Sequence, residues 1–320
     1  MIDQYNRNIE YVRISLTDRC NLRCQYCMPE HGVTKMKHED ILTLEEILKT
    51  AEILAKLGIK KIRLTGGEPL LRRGIIKLIG DLKSISGIEQ IALTTNGVLL
   101  DSMAEELIAA GLDSINLSLD TLSEGAFNLI TRRNLFGQVQ SGLNKFIKSK
   151  CEVKINCVPI VGVNDFELLK IVNLAKDNDI KVRFIELMPL GCAVDFKGIE
   201  TSRVKRQIEN SFGEMVPVHK EDLQGPAQYF KLQGFKGQIG FIDALEHKFC
   251  SSCNRIRLTA DGFLKLCLNS NSGLDVKSLL RAGIEDDKLF EEVQNAIYNK
   301  PKEHHFNEHN DANKMYQIGG

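Results

Sequence analysis

The sequence has neither an excess of charge of one sign nor a long apolar run. Its 320 residues include 42 Lys and Arg and 42 Asp and Glu, so the formal net charge is zero. That balance gives no overall reason to expect binding to nucleic acid or to a membrane surface. No stretch approaches the ~18 apolar residues of a membrane-spanning helix, and no apolar run follows the first basic residues as in a secretory leader. We therefore expect a cytoplasmic protein that binds neither nucleic acids nor membranes.

A disulfide framework is also not expected, because the nine cysteines are odd in number and no export signal precedes them. Six of them form two groups with tight spacing. The first group has the pattern C-x3-C-x2-C and the second has C-x2-C-x13-C; they comprise Cys20, Cys24 and Cys27, and Cys250, Cys253 and Cys267. The other three, Cys151, Cys157 and Cys192, are predicted to be buried structural thiols.

Strand-like and helix-like segments alternate along the first two thirds of the chain. The six strand-like segments are 11–17, 59–65, 88–95, 112–119, 152–160 and 180–187. Helical periodicity lies between them, for example in 44–58 and 167–178. This alternation predicts a parallel sheet. Six units are too few for an eight-stranded barrel and favour an incomplete, open (βα)6 barrel, with its chemistry at the carboxyl ends of the strands.

The pattern changes after about residue 212. Short alternating runs with glycine turns follow, and residues 255–266 predict a hairpin around Asp261 and Gly262. Two helical segments come next, at 276–283 and 287–300. We therefore expect a partial barrel over 1–212 and a smaller α+β domain over 213–299 that closes its open side. The polar tail, 300–320, is predicted to be flexible from its composition.

The first cysteine group suggests an open metal centre. Soft thiolate ligands select zinc, copper(I) or iron–sulfur clusters, but structural zinc sites and electron-carrying clusters normally use four protein ligands. Three thiolates leave one iron of a cluster open, which is a catalytic feature. A zinc site completed by His31 or His38 remains an alternative.

The second cysteine group repeats this logic. The predicted hairpin would bring Cys267 back beside Cys250 and Cys253, while Arg255 and Arg257 share one face of their strand. A structural zinc site is again an alternative.

The first group resembles the signature of the radical S-adenosylmethionine (SAM) superfamily. Tyr26 precedes its last cysteine, and the glycine-rich run TGGEP (65–69) follows the second strand, as in that superfamily. The resemblance implies that the first group holds a [4Fe-4S] cluster whose open iron chelates SAM. It also implies SAM contacts from Tyr26, from Gly67, from Ser118 after the fourth strand, and from Met188 after the sixth.

Runs along nearly the whole chain resemble one family within that superfamily, the GTP 3′,8-cyclases of molybdenum cofactor biosynthesis. These runs are 3–7, 12–29, 62–72, 130–136, 183–189, 249–268, 300–306 and the terminal Ile-Gly-Gly. The resemblance implies a second [4Fe-4S] cluster on the second cysteine group, with GTP between the two clusters and its guanine facing the second. The implied GTP-binding residues are Arg13, Arg63, Thr94, Lys154, Arg255, Ile256 and Arg257.

The resemblance also implies the reaction. A 5′-deoxyadenosyl radical removes the ribose 3′ hydrogen, the carbon radical attacks C8 of guanine, and one electron and one proton complete (8S)-3′,8-cyclo-7,8-dihydroguanosine 5′-triphosphate. Arg257 near the second cluster is a candidate proton donor, and Gly319 and Gly320 would enter the active site on the tail. The implied partners are an electron donor such as a flavodoxin or ferredoxin, and cyclic pyranopterin monophosphate synthase downstream; a homodimer is compatible with the resemblance.

Two other functions are compatible with the same motifs. One is a different radical SAM enzyme with an auxiliary cluster, such as a peptide-maturing enzyme. The other is a metal-binding regulator or electron carrier without enzyme activity, which reductive cleavage of SAM by the anaerobic protein would exclude.

Overall fold

The structure, a computed structural model, describes residues 1–219, 225–243, 250–268 and 272–303. Its strands are β1 (Tyr11–Ser15), β2 (Lys61–Thr65), β3 (Gln90–Thr95), β4 (Ser114–Ser118), β5 (Glu152–Cys157), β6 (Lys181–Ile185), β7 (Met215–Pro217), β8 (Gln228–Leu232), β9 (Gln238–Ile242), β10 (Arg255–Leu258), β11 (Phe263–Lys265) and β12 (Gly273–Asp275). Its α-helices are α1 (Leu44–Lys56), α2 (Ile75–Lys83), α3 (Leu100–Ala109), α4 (Glu124–Thr131), α5 (Phe136–Ile147), α6 (Leu168–Asp177), α7 (Thr201–Phe212), α8 (Val276–Arg281) and α9 (Asp286–Tyr298).

All of these strands belong to one open sheet, in the order β12-β11-β10-β1-β2-β3-β4-β5-β6-β9-β8-β7. The six predicted strand segments each contain one of β1 to β6, and these strands are parallel neighbours in chain order. The sheet ends at β12 and β7 and does not close. The prediction of an incomplete (βα)6 barrel is therefore confirmed.

The C-terminal part of the chain extends both edges of this same sheet. Strand β10 pairs in parallel with β1, and β9 pairs in parallel with β6. Strands β10 and β11 form the predicted antiparallel hairpin, with Gly262 in its turn at φ +85°. A left-handed residue at this position explains why the turn carries glycine.

The two faces of the parallel sheet differ in chemistry. On one face, residues such as Val12, Ile14 and Leu64 are buried against apolar residues of the helices, including Leu54 of α1 and Phe146 of α5. Alternate residues point to the other face, and there the strands carry polar side chains. The register places Arg13 of β1 beside Arg63 of β2 and Arg257 of β10. The polar face is where the site lies.

Helix α1 illustrates how the sequence sets these elements. Thr43 caps its first turn by accepting a hydrogen bond from the Glu46 amide, and the Glu46 side chain accepts one from the Thr43 amide. The helix ends at Lys56, two residues before Gly58, which has φ +92°. Among the described helices, none is long and apolar enough to cross a membrane.

Candidate active site

A cavity of about 330 Å³ opens on the polar face of the sheet, and both cysteine groups line it. Cys20, Cys24 and Cys27 follow the carboxyl end of β1, whereas Cys250 and Cys253 precede β10. Because β1 and β10 are parallel and in register, the two groups lie at opposite ends of this strand pair. Strand β1 itself, with five residues at about 3.3 Å each, is roughly 17 Å long.

The first cysteine group lies in a polar loop, and its three side chains are half-buried. The Leu22 amide and the Asn96 side chain donate hydrogen bonds to Cys20 Sγ, at 3.4 and 3.6 Å. Burial and neighbouring thiols raise the pKa of Cys27 to about 12 and hold the pKa of Cys24 well above its usual value. Thiolates at these positions would need a bound cation, and three soft donors facing one cavity suit an iron–sulfur cluster.

The zinc alternative receives no support from the two histidines. His31 and His38 are both exposed, and neither lines the cavity that the three cysteines line. Within the described ranges, no three Cys, His, Asp or Glu side chains are grouped closely enough to hold a single metal ion.

The glycines of TGGEP pack against the backbone that leads into the first cysteine group. A Cβ on Gly67 would lie 2.4 Å from the Arg19 carbonyl oxygen, and a Cβ on Gly66 would lie 2.6 Å from that of Thr17. The Gly67 and Glu68 amides donate hydrogen bonds to the carbonyls of Thr17 and Arg19, both at 2.7 Å. These glycines therefore join the two motifs. The sequence motif alone predicts contact with SAM for Gly67 and does not indicate this packing.

The other predicted SAM contacts also line the cavity. Tyr26, Gly67, Ser118 and Met188 are all lining residues. The Tyr26 hydroxyl donates a 2.6 Å hydrogen bond to Asp120, which also accepts one from the Val158 amide. Burial raises the pKa of Asp120 to about 6, although both hydrogen bonds act in the opposite direction. Tyr26 is therefore fixed by a carboxylate that the motif did not indicate.

A row of cations forms the wall between the two cysteine groups. Arg13, Arg63, Arg255 and Arg257, for which GTP binding is a prediction from the sequence, all line the cavity, together with Thr94 and Ile256. Burial, followed by neighbouring cations, holds the pKa of Arg257 well below its usual range. Burial also lowers the pKa of Arg63 to about 9, although Tyr11 acts in the opposite direction. Grouped cations of this kind, with Arg63 buried and the other three half-buried, are suited to a polyanion.

Several donors in this wall have unmet hydrogen-bonding capacity. In the described part of the chain, Arg13 Nε, Arg63 Nε and Thr94 Oγ1 are buried without a hydrogen-bond partner. Leaving such groups unpaired costs about 1–3 kcal/mol each. Phosphate oxygens would satisfy them, so the wall fits a phosphorylated ligand.

Lys154 lies on the same face of the sheet but does not line the cavity. Its amine forms an ion pair with Glu152, which also pairs with Lys181 at 2.8 Å. Burial lowers the pKa of Lys154 to about 7, although Glu152 acts against the shift. To bind a ligand in the cavity, the Lys154 amine would have to break its ion pair with Glu152.

Two cations that line the cavity were not predicted from the sequence. Arg183 of β6 is 5% exposed and donates to the side chains of Asn116 and Asn156. The sequence could have indicated Arg183, because it is a polar residue between apolar neighbours on β6, as Arg63 is on β2. Lys300 is 2% exposed and donates to the Leu266 carbonyl beside the second cysteine group. It begins the run 300–306, whose resemblance to the family does not indicate this contact.

The second cysteine group is held together by contacts from distant parts of the chain. The hairpin places Cys267 near the start of β10, as predicted. Burial alone would raise the pKa of Cys253, but Arg255 and Lys300 outweigh it and lower the pKa to about 7. Arg7 donates to the carbonyls of Cys250 and of residues 300–302, at 2.7–3.2 Å. The start of the tail is thereby anchored beside this group.

Other predictions have mixed outcomes. Cys151 and Cys157 are buried, as expected for structural thiols, but Cys192 is only partly buried and does not meet that expectation. Gly319 and Gly320 lie outside the described residues.

Two family models match this sequence. The Radical SAM superfamily matches residues 14–175, and Molybdenum Cofactor Synthesis C matches residues 180–306. The GTP 3′,8-cyclase of Clostridium perfringens (strain 13) is 44% identical over 323 residues, and that of Petrotoga mobilis is 46% identical over 326 residues. Both comparisons cover 100% of this chain and of the relative.

The solved structure of Streptococcus suis SuiB bound to S-adenosylmethionine is similar in fold. It has a TM-score of 0.65 at 13% identity, with 91% of this chain and 68% of SuiB covered. At this identity the similarity shows the fold alone. The full-length relatives and the superfamily match carry the assignment: the chain belongs to the GTP 3′,8-cyclase family of radical SAM enzymes.

Proposed function

We propose that the protein converts GTP into (8S)-3′,8-cyclo-7,8-dihydroguanosine 5′-triphosphate, the first step of molybdenum cofactor biosynthesis. Membership of the family supports this reaction. The structural observation that carries the proposal is a single cavity with a cysteine group at each end and a wall of arginines between them. Such a cavity can present one ligand to two metal centres at once.

At the first end, Cys20, Cys24 and Cys27 would hold the [4Fe-4S] cluster that superfamily membership implies. When bound, this cluster supplies the electron that cleaves SAM to methionine and a 5′-deoxyadenosyl radical. Gly67 keeps the TGGEP loop against the cysteine loop. Tyr26, fixed by Asp120, lines the cavity beside that loop.

At the second end, we propose that Cys250, Cys253 and Cys267 hold a second [4Fe-4S] cluster. Three thiols at the base of one hairpin, with Arg255 and Lys300 beside Cys253, support this assignment because the cations would stabilise thiolate ligands. The guanine would face this cluster. The same donor set could hold zinc, and the iron content of the protein distinguishes the two.

Between the two ends, the arginine wall would bind the triphosphate. Arg13, Arg63 and Arg257 lie side by side on adjacent strands, and Arg183 faces the cavity from β6. Guanidinium forks on rigid strands hold phosphate oxygens in fixed positions. Fixed positioning is the main requirement here, because the radical must meet the 3′ hydrogen and no other. We also propose that Gly319 and Gly320 reach this cavity from the anchored start of the tail, and that Arg257 supplies the final proton.

We further propose the division into residues 1–212, 213–299 and 300–320, and a cytoplasmic location. The proposed partners are a flavodoxin or ferredoxin as electron donor and cyclic pyranopterin monophosphate synthase as consumer of the product.

The test is anaerobic incubation with SAM, dithionite and GTP, followed by mass analysis. We expect 5′-deoxyadenosine and a product with the mass of GTP but a different retention time. 5′-Deoxyadenosine formed without any GTP isomer would instead favour another radical SAM reaction. Absence of SAM cleavage would favour a regulator or electron carrier.

A further inference from the structure

The outer side of the first cysteine loop carries a group of cations that the proposed reaction does not use. This group, called the outer basic surface, consists of Arg19, Arg23, Lys35, Arg132 and Arg133. Arg19, Lys35 and Arg133 are exposed, and Arg23 and Arg132 are half-buried. None of the five lines the large cavity.

Cys20 is accessible from this outer side as well as from the cavity. A second, small cavity of about 30 Å³ is lined by Arg19, Cys20, Arg23 and Lys35, together with Asp18, Met28 and Val33. Cys20 also lines the large cavity. One proposed cluster ligand therefore forms a thin wall between the active site and the outer basic surface.

Hydrogen bonds fix the cations of this surface to the cysteine loop itself. Arg23 donates to the carbonyls of Cys20 and Leu22, both at 2.7 Å. Arg132 donates to the carbonyl of Arg23 at 2.9 Å, and its own backbone is left-handed at φ +55° where α4 ends. A non-glycine residue in this conformation needs such contacts to hold it. The run 130–136, noted in the sequence, is thereby explained as the partner of the cysteine loop.

Among the described residues, the one carboxylate lining the small cavity with these cations is that of the buried Asp18, which leaves most of the charge of this surface uncompensated there. Across residues 1–219 and the other described ranges, no carboxylate forms an ion pair with any of the five cations. Leu129, whose carbonyl accepts a hydrogen bond from Gln25 of the cysteine loop, is 71% exposed beside them. Positive charge around an exposed apolar residue, in a chain with no net charge, marks a surface for a partner of opposite charge.

We propose that the outer basic surface docks a small acidic protein that carries single electrons. The proposal rests on the proposed function, because the first cluster needs one electron for each SAM cleaved. The reduced carrier loses one electron, the oxidised cluster gains it, and no atom is transferred. Complexes of this kind are small and weak, and electrostatic attraction sets their association. Docking here brings the carrier to Cys20 without obstructing the large cavity.

The test uses the loaded holoenzyme and a reduced acidic ferredoxin as the probe. The variant is Lys35→Glu with Arg133→Glu, which reverses two exposed charges. The matched control is Lys150→Glu, because Lys150 is exposed and lies two residues before β5, at the opposite end of the sheet from the cysteine loop. Affinity for oxidised ferredoxin is measured by titration calorimetry, and the rate of cluster reduction by reduced ferredoxin is measured by stopped-flow absorbance.

At about 0.01 M salt, where charges act over about 30 Å, we expect at least tenfold weaker binding and slower reduction for the double variant. The difference should shrink strongly near 1 M salt, where the screening length is about 3 Å. Lys150→Glu should behave as wild type, and dithionite should drive all three proteins equally. Unchanged ferredoxin affinity in the double variant, or equal weakening in the control, would overturn the proposal.

Two further results separate a failure of the proposed function from a failure of the docking proposal. If dithionite produces no 5′-deoxyadenosine in the wild type, the proposed function fails, while the binding titration still decides the docking surface. If the double variant folds poorly by circular dichroism, the single variants Lys35→Ala and Arg133→Ala take its place. Each should weaken ferredoxin binding about two- to tenfold, and unchanged affinity in both would overturn the proposal.

Discussion

Replacing Gly67 with alanine should disrupt the first cysteine loop although residue 67 is not a predicted metal ligand. The added Cβ would lie 2.4 Å from the carbonyl oxygen of Arg19 and 2.8 Å from that of Asp18. Both atoms belong to backbone directly before Cys20, so no side-chain rotation relieves the contact. Restoring an ordinary separation of 3.4 Å requires a shift of about 1 Å, which also strains the 2.7 Å hydrogen bonds from the Gly67 and Glu68 amides. Overpacking and weakened hydrogen bonds together should cost about 2–4 kcal/mol.

The measurements are the free energy of unfolding in urea, the iron content after anaerobic reconstitution, and 5′-deoxyadenosine formation with dithionite. We expect a lower free energy of unfolding and the loss of roughly half or more of the iron. SAM cleavage should be lost as well. The control is Gly125→Ala in α4, because a Cβ there meets nothing within 4 Å. Alanine in a helix should be neutral or stabilising by up to about 1 kcal/mol. Wild-type iron content and SAM cleavage in Gly67→Ala would refute the idea that this glycine positions the cysteine loop.

Four further outcomes are expected. Cys24→Ala should abolish 5′-deoxyadenosine formation, since two thiolates cannot hold the first cluster, and wild-type turnover would contradict the assignment. Arg257→Ala should weaken GTP binding by about 1.5–3 kcal/mol in a calorimetric titration while SAM cleavage without GTP continues. Arg7→Ala should lower the iron content at the second cysteine group and leave SAM cleavage intact, because Arg7 anchors Cys250 and residues 300–302. Removing residues 319–320 should stop cyclisation with iron content and stability unchanged; retained cyclase activity would show that the two glycines are dispensable.

The strands could be predicted from the sequence because burial of one face requires apolar residues at alternate positions. Strands β1 to β6 have one face in the apolar core, so Ile14 or Ile115 could hardly lie elsewhere. Their polar alternate residues then necessarily share the opposite face. The position of Arg13 and Arg63 on one wall follows from that alternation once the strands are parallel and adjacent.

Long-range contacts were beyond such reasoning. Lys300 reaches the second cysteine group only because the end of α9 returns to the Leu266 carbonyl. Lys154 was expected to bind GTP, but it pairs with Glu152 of its own strand, and Glu152 also pairs with Lys181 of the neighbouring strand β6, a contact that no local pattern specifies. The packing of Gly67 against Arg19 likewise depends on how two loops meet, which no local pattern specifies.

The central claim is that one cavity holds GTP with its ribose facing the SAM end and its guanine facing the second cysteine group. Incubating the reduced enzyme with SAM and GTP deuterated at the ribose 3′ position tests this most directly. The 5′-deoxyadenosine should acquire one deuterium, and the cyclised product should lack it. Unlabelled 5′-deoxyadenosine, with the deuterium retained in the nucleotide, would contradict this claim.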